Sequence, residues 1–353
     1  MTTTAPAATR GRPFTGLFSR GLLDFGTAGR PVAAIWIALA LMCALVLIVR
    51  PALLRPASLE TILVLAAITI MVGLGQGAVI FIGGIDLSIP WTMSSSAILF
   101  AGITGGRSEL LLPGLLAALA LGVGVGLANG IGSIRFGVHP VVMTLAMNAV
   151  LQGATLGYTG GSVTGSPPAE AGWLMTGDLL GIAPILWVML VLVLAVTLVL
   201  RSGTFGRRLN AVGLAPESAR LAGTSSARLS VLMYVLSSLC AVLAGIMLSG
   251  LASQSYLGMG DPYLLGSIAV VALGGAAFSG GRGHFLGTVG AGILLSLLTS
   301  LLTTYQLPEA VKQIAFGAVI LVAIIAGTLR SRRRSPQKPL PTPAVPTFKG
   351  ETR

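Results

Sequence analysis

The sequence predicts an all-α integral membrane protein of about ten transmembrane helices, with an inverted repeat and a broken helix near residues 83–90, and three observations carry that expectation. Hydrophobic side chains make up 54% of the 353 residues and charged ones only 9%, with a mean hydropathy of +0.92. A soluble domain carries about a quarter charged residues, so too few charges are present to cover this chain against water, and a water-soluble enzyme is excluded. Second, the apolar residues gather into runs of the length, about 20 residues, that a helix needs to cross ~30 Å of hydrocarbon. Third, the net charge of +12 is unevenly placed, with the bases crowded into the two ends and one central loop. That distribution fits membrane orientation and not nucleic-acid binding.

The runs fall at about residues 31–49, 61–82, 87–105, 110–134, 140–158, 182–200, 229–251, 263–279, 284–303 and 312–329. Before the first lies a basic tail, 1–30, with Arg10, Arg12, Arg20 and Arg30. It has no apolar core of its own, and the run after it lacks a small-residue cleavage signal, so 31–49 reads as a retained span. Between the second and third runs, GGIDLSIP at 83–90 reads as a helix broken inside the bilayer or as a water-exposed turn. Within the fourth, GVGVGLANG places Gly122, Gly126 and Gly130 at four-residue steps, which clears one helix face for a close neighbour. No strand surrounds these glycines, so they do not form a dinucleotide loop.

The loop 201–228 carries Arg201, Arg207, Arg208, Arg220 and Arg228. Within it Pro216 stands at a first helical position with Glu217 behind it, and Gly223 closes the stretch, which predicts a short surface helix able to meet a partner. The eighth run ends in a second Gly-rich break, GGAAFSGGRG at 274–283. Spans two to five start outside and spans seven to ten start inside, the arrangement of an inverted repeat with a substrate site between halves. The apolar, membrane-spanning region therefore covers 31–329, and 330–353 is a basic, proline-rich tail expected to be disordered beside anionic lipid. Of the 22 Lys and Arg residues, only Arg50, Arg55, Arg107 and Lys312 fall on the other side of this topology. Both ends and the 201–228 loop are accordingly expected in the cytoplasm.

Chemistry-bearing residues are few. Asp86 is the one acid in an apolar setting, and an ionised carboxylate at bilayer depth is costly unless it meets water, a partner or a solute. Two compatible roles stand open: a functional carboxylate, or a cap on the helix beginning near Ser88. Gln76, Asn148 and Gln152 are amides inside spans, and the last two share a helical face that should turn inward, either for interhelical hydrogen bonds or to line a polar path. His139 and His284 have no ligand partners at metal spacing, and Cys43 and Cys240 sit in apolar runs as packing residues. The three lysines, Lys312, Lys338 and Lys349, follow no phosphate-binding glycine loop. The chain itself is thus not expected to bind ATP, a metal or another cofactor, or to be an enzyme.

GGIDLS at 83–88, FGRRLNAVGLAPESARLAG at 205–223, IAVVALGGAAFSGGRGHFLGT at 268–288 and the stretch 129–161, in this order, resemble the permease subunits of bacterial ABC importers for ribose and related monosaccharides, within the branched-chain amino acid/ribose permease family. The resemblance covers roughly residues 60–329. It implies a multi-pass inner-membrane subunit that pairs with a second permease copy or a paralogue, cytoplasmic ATP-binding subunits and a periplasmic sugar-binding protein. ATP would then sit on the partner subunit. By the same resemblance Gly213, Glu217, Arg220 and Gly223 are candidates for ATPase coupling. Gln76, Asp86, Ser88, Trp91, Asn148 and Gln152 are candidates for the substrate pathway, the indole of Trp91 either stacking on a sugar face or anchoring at the interface. The family pattern changes here at Leu264 and Leu265 and at Pro90 and Trp91. The expected function is therefore the transmembrane subunit of an ATP-driven sugar importer, with an ion-coupled secondary transporter using Asp86 as the alternative.

Overall fold

Proline and glycine punctuate the chain where the sequence places them. The computed structural model describes residues 30–334 apart from Gly203 and Arg282. It forms helices α1 (Arg30–Val49), α2 (Pro56–Phe81), α3 (Ile89–Thr104), α4 (Leu111–Ile134) and α5 (Pro140–Thr159), then the short α6 (Ala169–Thr176). After these come α7 (Pro184–Ser202), α8 (Thr204–Leu214), α9 (Pro216–Leu221), α10 (Ser226–Ala252), α11 (Tyr263–Leu273), α12 (Phe285–Thr304) and α13 (Glu309–Arg334). Pro56, Pro90, Pro140 and Pro216 occupy first-turn positions, where the missing N–H costs nothing. Gly105 and Gly160 end α3 and α5 in the left-handed conformation. Among the described residues the only β pairing is one isolated bridge, Leu179 with Ile182.

Every one of the ten apolar runs holds a helix, and among the described residues six, α1, α2, α4, α5, α10 and α12, are long and apolar enough to cross a membrane. A seventh results if α7 and α8, bent by 70°, are taken as one. α3 and α11 are short, at 16 and 11 residues, because the Gly-rich breaks at 82–88 and 274–284 interrupt their runs. Three elements were not legible in the apolar pattern: α6 inside the 159–181 loop, α8 ahead of the expected surface helix α9, and the extension of α13 to Arg334. The basic N-terminal tail and the proline-rich segment from 335 onward lie outside the described residues.

The bundle is built around α10 and α3. α10 packs on α2, α3, α4 and α6, and α3 on α4, α5 and α10. The main apolar core joins Ile68 and Met71 of α2, Met93 of α3, and Ala241 and Ala244 of α10. The glycine ladder of α4 works as its spacing suggests. A Cβ on Gly122 would stand 2.7 Å from Val242 Cγ2, one on Gly130 2.9 Å from Val231 Cα, and one on Gly126 2.8 Å from the backbone N of Val235. In lipid, where apolar surface gains little by leaving solvent, such close contact supplies the dispersion that holds helices together.

α3 is the exception to the apolar rule, since Thr92, Ser94, Ser95, Ser96 and Thr104 are all buried. Each finds a bond: Thr92, Ser94 and Thr104 to carbonyls four residues back, Ser96 to Met93 O, and Ser95 to Thr155 of α5 at 2.6 Å. A helix this polar is stable at bilayer depth because protein, not lipid, surrounds it. The two Gly-rich breaks meet directly, with Gly281 N–H donating to Phe81 O at 2.8 Å. α2 and α11 therefore lie side by side with their C-terminal ends together. An axis in the membrane plane would run paired helices in opposite directions, so these two breaks are not mates in such a repeat.

Candidate functional site

At the end of α2 the chain turns through Gly83, at φ +81°, with the Gly83 and Gly84 N–H groups donating to Ile80 O and Val79 O. Residues 84–88 then re-enter the bundle in non-helical form before α3 begins. Asp86 is fully buried there. Its Oδ1 accepts the Ser88 N–H at 2.9 Å and the Ser88 hydroxyl at 2.6 Å, and its Oδ2 accepts the Ser237 hydroxyl at 2.7 Å. Ser237 is a mid-helix residue of α10, so the break lies alongside the interior of the bundle.

The rest of the segment is tied down from two further helices. Asn129 Nδ2 on α4 donates to Ser88 Oγ at 2.9 Å. Thr144 Oγ1 on α5 accepts the Leu87 N–H at 3.0 Å and donates to Ile85 O at 3.2 Å. The Trp91 N–H is taken by Asn148 Oδ1 at 3.3 Å. Among the described residues no Lys or Arg pairs with Asp86. The carboxylate does cap one backbone N–H, that of Ser88. The first turn of α3 is otherwise served by Pro90, which has no N–H, by Asn148, and by the Thr92 N–H bond to Ser88 O. The hydroxyls of Ser88, just before α3, and of Ser237 on α10 therefore do most of the holding of Asp86, and capping is one part of its role.

The other sequence candidates separate. Gln76 is fully buried on α2, and neither amide atom has a protein partner. Leaving such a group unpaired costs about 1–3 kcal/mol, which marks it as a position with polar capacity to spare. Asn129 Oδ1 is likewise buried without a protein partner. Asn148 turns inward as expected, but Gln152 is exposed on the single chain, so the shared inward face holds for Asn148 alone. The cause is position: α5 packs against α3 and α4 at the edge of the bundle, and Val142, Leu145, Val150 and Leu156 are exposed beside Gln152. Trp91 is enclosed in an apolar cluster with Val125 and Leu151, which removes the interfacial-anchor reading and leaves its ring packed within the helices.

In the central loop, α9 is the expected surface helix. Glu217 and Arg220 are exposed and paired with each other at 3.1 Å, and only Ala219 is buried. Gly223, at φ +81°, ends it, with Gly223 N–H bonded to Arg220 O and Thr224 N–H to Ala219 O. α8 before it is amphipathic, burying Gly206, Leu209 and Val212 and exposing Arg207 and Arg208. A groove between α8 and the start of α10 is lined by Phe205, Arg208, Thr224, Arg228 and Leu229. Gly213 behaves unlike its three companion candidates, for it faces the bundle, against Phe81 O and Gly281. No cluster of three or more His, Cys, Asp or Glu exists among the described residues.

A helical membrane protein built around a broken, polar segment held by hydrogen bonds from several helices has an architecture that membrane transport proteins use. The chain belongs to the family described as branched-chain amino acid transport system / permease component, whose model matches residues 58–324. It is a transport component and not itself an enzyme. It is similar to the ribose import permease protein of Escherichia coli strain K12, 30% identical over 293 residues that cover 82% of this chain and 91% of that protein. The ribose import permease protein of Bacillus subtilis strain 168 is 31% identical over 305 residues, covering 84% and 92%. The galactofuranose transporter permease protein of Escherichia coli strain K12 is 31% identical over 268 residues, covering 75% and 78%. No solved structure matches the chain.

Proposed function

We propose that this permease component is the membrane-spanning subunit of an ATP-driven importer that moves a monosaccharide or similar small solute across a bacterial inner membrane. The observation that carries the reading is similarity to sugar import permeases, over 82–84% of this chain and 91–92% of the two ribose permeases. Its partners are cytoplasmic ATP-binding subunits, which hold the ATP, a periplasmic sugar-binding protein, and a second permease copy or a paralogue. The chain crosses the membrane ten times with both ends in the cytoplasm, a topology supported by the one-sided distribution of bases and by a helix in every apolar run. Its inverted repeat is proposed on the opposite sense of spans two to five and seven to ten.

In this reading α8 and α9 meet the ATPase, with Glu217 and Arg220 on the docking face. Asp86, Ser88, Asn148, Gln76, Gln152 and Trp91 belong to the solute pathway or its gate. The chemistry is conformational: ATP binding on the partner favours one of two accessible states of the bundle. The ion-coupled alternative has less support, because Asp86 is held by hydroxyls and a backbone N–H and no basic residue among the described ones pairs with it to make a relay.

The test is uptake of labelled ribose and other pentoses and hexoses into vesicles holding this chain with its ATPase and loaded binding protein. Uptake that requires ATP inside the docking compartment is expected. Uptake driven by a proton or sodium gradient without ATP would overturn the reading.

A further inference from the structure

The end of α8 meets the broken helix through closely packed glycine backbone. Gly213, near the C-terminal end of α8, lies where a Cβ would stand 2.5 Å from Gly281 N and 2.6 Å from Gly281 Cα, and would also meet Phe81 O. On the facing side, a Cβ on Gly280 would stand 2.9 Å from Gly213 O and 3.1 Å from both Gly83 N and Phe81 O. Gly281 N–H holds Phe81 O at 2.8 Å, and Gly83, Gly280 and Gly281 all have positive φ. Three segments distant in sequence, the end of α2, the end of α8 and the 274–283 loop, thus meet through the backbone of Gly213, Phe81, Gly280 and Gly281, with the Leu214 side chain packed beside Gly281. Three residues beyond Gly83 stands Asp86, fixed to α10 through Ser237.

Side chains at an interface hop between rotamers and absorb small displacements, whereas close-packed backbone passes them on. Glu217 and Arg220 point to solvent on α9, while Gly213 points into the protein. We propose that Gly213 is a positioning residue for coupling: a displacement of α8–α9 is passed through Gly213, Phe81, Gly280 and Gly281 to segment 82–88 and so to Asp86. Docking and transmission are then separate parts of one loop. The inference rests on the reading that α8–α9 meets an ATPase.

Hydrogen exchange of the assembled transporter in lipid, with and without a non-hydrolysable ATP analogue, tests it directly. In the unmodified protein, nucleotide should change exchange in both 205–223 and 82–90. A change in 205–223 with none in 82–90 overturns the proposal without any substitution. No change in either, together with no ATPase recovered on purification, would instead sink the importer reading on which it stands. Gly213→Ala and Gly213→Val should keep ATPase co-purification and the nucleotide response of 205–223, while the response of 82–90 and the sugar moved per ATP fall by about tenfold. Gly124→Val, which adds the same bulk at an open position of α4 away from the loop, should change neither. An 82–90 response retained in Gly213→Val, or lost equally in Gly124→Val, overturns the assignment. If the valine variant does not assemble, the alanine variant decides by the same comparison.

Discussion

Asp86 keeps its place in an apolar bundle because its acceptor capacity is met by two hydroxyls and one N–H. Hydrogen bonds to a charged group are worth about 1.5–3 kcal/mol each, which offsets part of the cost of burying the carboxyl where no Lys or Arg among the described residues pairs with it. Asp86→Asn preserves shape but places an NH₂ against donors. It is expected to lower uptake by about tenfold or more while leaving ATPase co-purification intact. Loss of membrane insertion or of the complex would show that the carboxylate is needed only for folding. Ser237→Ala should give a milder version of the same defect. The acid itself was legible as the lone carboxylate in an apolar stretch, yet its partners were not. Ser237 is 151 residues away and Asn129 lies 41 residues from the Ser88 it binds. Serine and asparagine are ordinary in membrane helices, and only packing reveals which ones turn toward the break.

At the scale of elements, what repeats along the chain was readable and what depends on neighbours was not. The four-residue glycine step of α4 announced a close helix contact, and α10 fills it. Gly126→Ala is expected to destabilise the fold by about 1–3 kcal/mol, because its Cβ meets Val235 backbone that cannot rotate away. Gly124→Ala, with nothing within 4 Å, should be neutral within about 0.5 kcal/mol. Thermal aggregation of the detergent-solubilised protein ranks the two, and equal midpoints would remove the ladder's role. α9 was likewise legible from Pro216 and Gly223, whereas α8 carries charges that hide it from a search for apolar runs. Exchanging the charges, Glu217→Lys with Arg220→Glu, keeps the surface pair but reverses its order along α9. Co-purification with the ATPase or sugar-stimulated hydrolysis should fall while midpoints stay unchanged; normal values for both would show that this face docks nothing.

The whole molecule poses the question of how apolar runs such as 87–105 and 263–279 yield helices as short as α3 and α11. At 1.5 Å per residue, the 16 residues of α3 reach about 24 Å, short of ~30 Å of hydrocarbon. A helix exposed to lipid must meet that length, but α3 is buried among α4, α5 and α10, so non-helical backbone in the same layer is tolerated. Sequence length rules assume lipid contact and therefore misjudge the helices at the centre. If the break at 82–88 completes the α3 crossing and 274–284 that of α11, then Ala57 and Ser108 flank two crossings and lie on one side, as do Gln254 and Gln306. Cysteines at these four positions, in a background without Cys43 and Cys240, should all react with an impermeant maleimide from the periplasmic side, together with one at Ser166. Cysteines at Ser225 and Ser335 should react only from the cytoplasm, as the eighteen-to-four distribution of bases requires. Opposite-side labelling of Ala57 and Ser108 would show that α3 turns back without crossing, and the same result for Gln254 and Gln306 would show it for α11. Either outcome would reduce the number of spans and place the loop 201–228 or the C-terminal end on a side that the charge distribution does not favour.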